Sequence, residues 1–194
     1  TKKDGTYADR TKLFAWPGDG GEHGPHGVVP GPDGMLYLAV GNHVPTLPSV
    51  VREKPDAEGR RAPGSPTDFW AEDLIVPRMW DPRGHAVGIT APGGIVYRVD
   101  PKNGAATIFA DGFRNHYDLA FNKDGELFTY DSDMEWDMGA PWYRAPRIVH
   151  VVQGGDYGWR SGSGVWPDRW EDSLPQACDT DASSPTGQIG RAHV

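Results

Sequence analysis

The clearest pattern along the chain is a set of short apolar runs, each bounded by Gly, Pro, Asn or Asp. Residues 35–40, "MLYLAV", form one such run, and "GPDG" at 31–34 has the composition of a tight turn. The pattern predicts a turn over 31–34 and a buried strand over 35–40. The preceding stretch, "GEHGPHG" at 21–27, cannot be helical, because Gly24 and Pro25 lie between His23 and His26 and both break helices. A helical zinc-protease histidine pair, which needs both rings on one helical face, is thereby excluded. Further on, "GGIVYRVDPKNGAATIFADG" at 93–112 alternates on both sides of Pro-Lys-Asn-Gly and predicts a hairpin. "RIVHVVQGGDYGWRSG" at 147–162 predicts another strand, then a Gly-rich turn holding Tyr157 and Trp159.

Two of these units are copies. "HGPHGVVPGPDGMLYLAV" (23–40) aligns without gaps on "RNHYDLAFNKDGELFTYD" (114–131), sharing an apolar pair, a turn, Asp-Gly and Leu-aromatic. Asp33 and Asp124 lie 91 positions apart, as do His23 and Arg114. Repeated hairpins of this kind build radially symmetric folds, and at roughly 40 to 50 residues per propeller blade the offset predicts about two blades. Loops entering the innermost strands of a propeller converge at one mouth of its channel. His23 with Arg114, and His26 with Tyr117, are therefore expected to face one cavity. Residues 45–85, Pro-rich, charged and aperiodic, read as a long inserted loop that packs over the mouth or is poorly ordered.

Composition sharpens the fold class. Gly (26), Pro (18) and Trp (8) are plentiful and no long stretch has helical periodicity, so the expected class is all-β. The expectation is a partial β-propeller of about three to four blades out of a six-bladed ring. It would occupy residues 1–187 as one domain. The last seven residues, "QIGRAHV" (188–194), resemble the translation of a sequencing adapter and are expected to be a non-native tail, the chain being a truncated piece of a longer reading frame. A net charge of -8, with no basic cluster beyond Arg60-Arg61, argues against nucleic acid or an anionic membrane as partner. A small molecule or neutral polymer fits better. Cys178 is the single cysteine, so the segment has neither an internal disulfide nor a Cys-based metal or haem-attachment motif. It shows no membrane-spanning apolar run and no signal peptide.

The repeat brings candidate chemistry together. A histidine of ordinary pKa, ~6.5, is a general base near neutral pH, and an arginine is a permanent cation able to stabilise a developing oxyanion. His23 and Arg114 could thus deprotonate an alcohol and hold the acceptor's negative charge; equally, both could be turn residues bonded to backbone. "YDSDMEWD" places Asp131, Asp133, Glu135 and Asp137 at alternating positions. On one strand these four carboxylates would share a face, either as a solvated acidic edge or as a Ca²⁺-associated loop.

The order of motifs resembles a known family. A His about eight residues before "GPDG", then "GGIVYRVD", "GFRNHYDLAFNKDGEL", the acidic loop and "GGDYGW" is similar to the soluble pyrroloquinoline-quinone (PQQ) dependent glucose and sorbosone dehydrogenases. "GFRNHYDLAF", "DMEWD", "GWRSG" and "SSPTG" resemble still more the membrane-bound dehydrogenase-type propellers of large secreted bacterial proteins. The resemblance spans residues 23–159 apart from the inserted loop. It implies a quinoprotein oxidoreductase of six four-stranded blades that oxidises a sugar or related alcohol, with PQQ and Ca²⁺ at the channel mouth. By the same resemblance His23 falls on the general base and Arg114 on the arginine that polarises the quinone. Asn115, with His26 and Tyr117, would contact the cofactor, and Asp131, Asp133, Glu135 and Asp137 fall on the calcium loop. That loop lacks the family's Gly-Pro pair here, which leaves open a changed metal site or no PQQ. Electrons would pass to a haem or other acceptor, such as a cytochrome c domain further along the parent protein, in the periplasm or outside the cell. The alternatives are a non-catalytic carbohydrate-binding propeller and a Ca²⁺-dependent lactonase-like hydrolase.

Overall fold

The computed structural model describes residues 12–13, 15–16, 21–46, 89, 92–137, 140–160, 164–165, 170–171 and 173–183, with the side chains of 135–137, 140–142 and 164–165 left aside. Nearly all of the expected inserted loop at 45–85, and the whole of the tail at 188–194, lie outside the described residues. Every regular element among the described residues is a β-strand. The all-β expectation is met.

The first sheet is a meander of β1 (Pro25–Pro30), β2 (Leu36–Val40), β3 (Gly94–Val99) and β4 (Ala106–Phe113), antiparallel throughout and in that order. The continuous apolar run of β2 has a simple cause: both of its faces are covered. Tyr37 and Ala39 join Val96 and Ala110 on one face, whereas Leu38 and Val40 join Ile95, Tyr97 and Ile108 on the other.

The second sheet starts with β5 (Leu119–Phe121) and β6 (Leu127–Asp131). The chain then leaves it for a separate hairpin of β7 (Met134–Asp137) and β8 (Ala140–Arg144), and returns as β9 (Arg147–Val151) beside β6. Next, β10 (Gly155–Asp156) crosses to the outer edge of the first sheet and pairs parallel with β4. β11 (Trp159–Arg160) pairs with β12 (Gly164–Val165), and β13 (Cys178–Asp179) closes the second sheet against β9. The order β13-β9-β6-β5 is again four-stranded. Leu119, Leu127, Val149 and Val151 of this sheet pack on the Tyr37 face of the first, giving one core between two stacked blades. β1 and β5, the first strands of the two sheets, lie side by side: a Cβ on Gly27 would sit 3.2 Å from the Tyr117 carbonyl. Four-stranded meanders stacked face to face, with their leading strands adjacent, make a partial β-propeller. The described residues account for two of the expected three to four blades.

The repeat is real, but its period is one blade and not about two. Pairs Pro30↔Leu36 and Phe121↔Leu127 are equivalent, as are Val29↔Tyr37 and Ala120↔Phe128. The turn bonds also match: Gly31 donates to the Met35 carbonyl at 2.7 Å, and Asn122 to the Glu126 carbonyl at 2.9 Å. These hairpins open consecutive sheets. The 91-position offset spans one blade together with residues 45–85, and without that insertion it falls to about 50, within a single blade's length.

Gly34 and Gly125 occupy the same turn position at φ 78° and 85°. A Cβ at Gly125 would meet only Pro32 Cγ at 3.6 Å, so a substitution there costs backbone strain and not a clash. Gly125→Ala is therefore expected to lower stability by about 1 kcal/mol in urea unfolding. An unchanged midpoint would contradict the left-handed turn.

Candidate functional site

Three strand ends meet at one place. Because β1 and β2 are antiparallel, the residues before β1 and after β2 are neighbours, and Gly41 donates to the Gly24 carbonyl at 2.9 Å. The next residue, Asn42, donates its amide to the Arg114 carbonyl at 2.9 Å, which ties the exit of β2 to the exit of β4. The approach is close. A Cβ on Gly41 would lie 2.5 Å from the His23 carbonyl oxygen and 2.7 Å from Asn115 Oδ1.

Asn42 also orients the histidine. Its Oδ1 accepts from His23 Nδ1 at 2.6 Å, which leaves Nε2 as the basic nitrogen. The His23 ring is 3% exposed and stacks on His43 with centroids 4.2 Å apart. Burial pushes its pKa down to about 4; the Asn42 bond opposes this, while the charges of Arg114 and His43 add to it. His23 is thus neutral at pH 7.

The Arg114-Asn115 segment is held from below by Asp131, at the end of β6. One carboxylate oxygen accepts from the Arg114 amide at 3.0 Å and the Asn115 amide at 3.0 Å, and the other from Arg147 at 3.0 Å. Asp131 is 1% exposed and its ion pair with Arg147 is buried. The Arg114 side chain donates to Ser132 Oγ at 3.0 Å. Asn115 Oδ1 accepts from His26 Nε2 at 2.6 Å, and the His26 ring lies 4.6 Å from that of Tyr117, which is 46% exposed. His116, between Asn115 and Tyr117 in sequence, is turned inward and fully buried, 4.4 Å from the Phe113 ring. Neither ring nitrogen has a hydrogen bond of ordinary geometry, although the Ile95 backbone lies close enough to favour the charged ring slightly. Burial takes His116 down to about 4 as well, with Asp131 opposing and His26 adding to the shift.

The structure thus brings together His23, Arg114, Asn115, His26 and Tyr117, with Asp131 beneath them. The four carboxylates do not share one strand, and the side chains of Glu135 and Asp137 lie outside the described residues. Asp131 ends β6 and is committed to Arg147 and two backbone amides, Ser132 and Asp133 leave the sheet, and Glu135 and Asp137 belong to β7. A break in the strand ends the alternation that put all four on one side. Among the described residues no three His, Cys, Asp or Glu side chains are placed to share a metal ion. The donor set does suit an anionic, carboxylated quinone such as PQQ, since it offers a permanent cation in Arg114 beside an amide in Asn115.

Sequence reasoning missed Asn42, His43, Ser132, Arg147 and His116. The repeat gives no hint of Asn42, whose equivalent is Asp133, or of Arg147, which has no place in the repeated unit. The available signal was position: polar "GNH" directly after a buried strand must emerge beside whatever precedes that strand's hairpin partner.

No family model matches the chain, and no curated protein does either. Among solved structures it is similar to the PQQ-bound form of aldose sugar dehydrogenase from Streptomyces coelicolor, at 18% identity and a TM-score of 0.37, covering 70% of this chain and 30% of that one. It is also similar to a putative oxidoreductase (glucose dehydrogenase) from Thermus thermophilus, at 22% identity and a TM-score of 0.49, covering 82% and 40% respectively. The chain spans less than half the length of either. The propeller assignment rests on its own sheet order and register.

The two depressed histidines make the fold acid-sensitive. A histidine whose pKa is lowered by folding stabilises the fold above its unfolded value of about 6.5, and that contribution is lost as pH falls toward about 4. From pH 7 to pH 5 each should cost about 2 kcal/mol. Urea midpoints should fall over that range, and His116→Phe should remove about half of the fall; an equal fall in the variant would show that His116 does not carry it.

Proposed function

We propose that the chain is part of a quinoprotein dehydrogenase that oxidises a sugar or a related alcohol with PQQ. The observation that carries this reading is the neutral, tautomer-fixed His23 set beside the permanent charge of Arg114. His23 Nε2 takes the hydroxyl proton of the substrate, and the carbon bearing that hydroxyl gives up its hydrogen as hydride. Arg114 supplies positive charge where negative charge accumulates. Asn42 keeps Nδ1 protonated so that Nε2 stays the accepting atom. Asp131 fixes the Arg114-Asn115 backbone, so the guanidinium is delivered from a rigid base. PQQ, when bound, supplies the two-electron acceptor. Transfer onward to a haem or other acceptor, and a periplasmic or extracellular location, belong to the same proposal. No helix among the described residues is long and apolar enough to cross a membrane.

The test is dye reduction by the protein carrying this chain, with PQQ and an aldose panel. His23→Ala should lower turnover about 10²-fold or more while PQQ binding is retained. Arg114→Ala should weaken both binding and turnover. Unchanged turnover in His23→Ala would sink the mechanism, and sugar binding without PQQ binding would select the carbohydrate-binding alternative.

A further inference from the structure

Outside the site, the densest unexplained chemistry lies where β10 crosses from the second blade to the first. Asp156 of β10 and Asp111 of β4 are directly paired residues on adjacent parallel strands. Paired residues point to the same face, and strands run about 4.8 Å apart, so two carboxylates stand abreast. Among the described residues one cation serves them. Arg160 of β11 donates to Asp156 Oδ1 at 3.2 Å and Oδ2 at 2.6 Å, and the Gly158 amide adds a third bond at 2.8 Å. Asp111 is 4% exposed, and its Oδ1 has no hydrogen-bond partner. No titratable group of β3 faces Asp111, since the β3 register runs from Gly94↔Phe113 to Val96↔Ala110 around an irregularity at that position. Among the described residues the charged groups facing Asp111 are Asp156 and Arg160. A buried carboxylate beside a part-exposed one that already holds the arginine cannot ionise without cost. Burial, and then the Asp156 charge, hold Asp111 well above the usual carboxylate range, with Arg160 opposing.

We propose that Asp111 and Asp156 form a proton-operated latch that fastens the 154–158 strap of the second blade onto the first. With Asp111 neutral the strap is closed: Gly154 donates to the Phe109 carbonyl at 2.6 Å and Tyr157 to the Asp111 carbonyl at 2.9 Å. Loss of that proton places two negative charges across the parallel pairing and opens it. The strap is also packed against the site. Tyr157 stacks on Phe113 at 4.8 Å, Phe113 lies against His116 at 4.4 Å, and Phe113 immediately precedes Arg114. Opening the strap removes the support behind the Arg114-Asn115 segment. The latch rests on the fold alone, so its outcome is independent of the PQQ reading.

The sign follows from linkage. A carboxyl whose pKa is raised by folding favours the closed strap most below its unfolded value of about 4, and that preference is lost as pH rises toward the closed-state value. Amide hydrogen exchange on the 194-residue chain reads this directly. The protection factor of the Tyr157 amide should fall up to about tenfold per pH unit above about pH 4, then level off once Asp111 is ionised in the closed state. The Arg114 and Asn115 amides should follow it, while the Asn122 amide, in the distant hairpin turn, should not. In Asp111→Asn the Tyr157 protection should lose this pH dependence. A flat wild-type profile, or a slope shared equally by Tyr157 and Asn122, overturns the latch even if the variant does not fold. So does Asp111→Asn with the wild-type slope intact.

Discussion

The buried carboxylate of Asp131 is the point on which the site depends. It accepts two backbone amides from the segment after β4 and a guanidinium from β9, so a single side chain joins three strands. A charge at 1% exposure is tolerable only when its oxygens are satisfied, and these are. Its geometry also dictates where Arg114 can be. With both amides of the 114–115 pair facing down onto Asp131, their side chains are left to Ser132 and His26, at the exit of the blades.

The two blades share a hairpin but divide the work. At the position where the second blade has Asp131, the first has Val40, which packs against Ile95 and Tyr97. The first blade therefore ends its second strand in core and places polar groups two and three residues later, at Asn42 and His43. The second ends it in a buried ion pair, and at the position of His23 before its first strand it places Arg114. Repetition of the backbone with divergence at these ends lets one architecture offer a neutral histidine from one blade and a cation from the next.

The strands, their turns and the all-β class were legible because they are local: an apolar run between Pro-Asp-Gly and Gly-Asn reads as a strand in any context. The juxtaposition of His23 and Arg114 was legible for a different reason, since the repeat maps one onto the other. The blade spacing was misread because an insertion inside a blade lengthens the period without changing the fold, and sequence offsets count residues, not strands. Alternation along "YDSDMEWD" implies a shared face only while the strand continues, and the strand holding Asp131 ends there, with Glu135 and Asp137 in the next one. Asn42 was signalled only by its position after a buried strand, and Arg147 was invisible because nothing near it in sequence predicts its partner.

His23 and Arg114 constrain each other through charge. Burial is the largest cause of the low His23 pKa, yet the arginine contributes in the same direction, so the cation that would stabilise a developing negative charge also weakens the nearby base. An anionic group lying against Arg114 would offset that contribution and return part of the basicity to Nε2, the larger effect of burial remaining. A site of this kind is a poor base when empty of negative charge and a better one when an anion is seated. On the proposed reading, an anionic electron acceptor seated beside Arg114 would therefore also favour the proton acceptor.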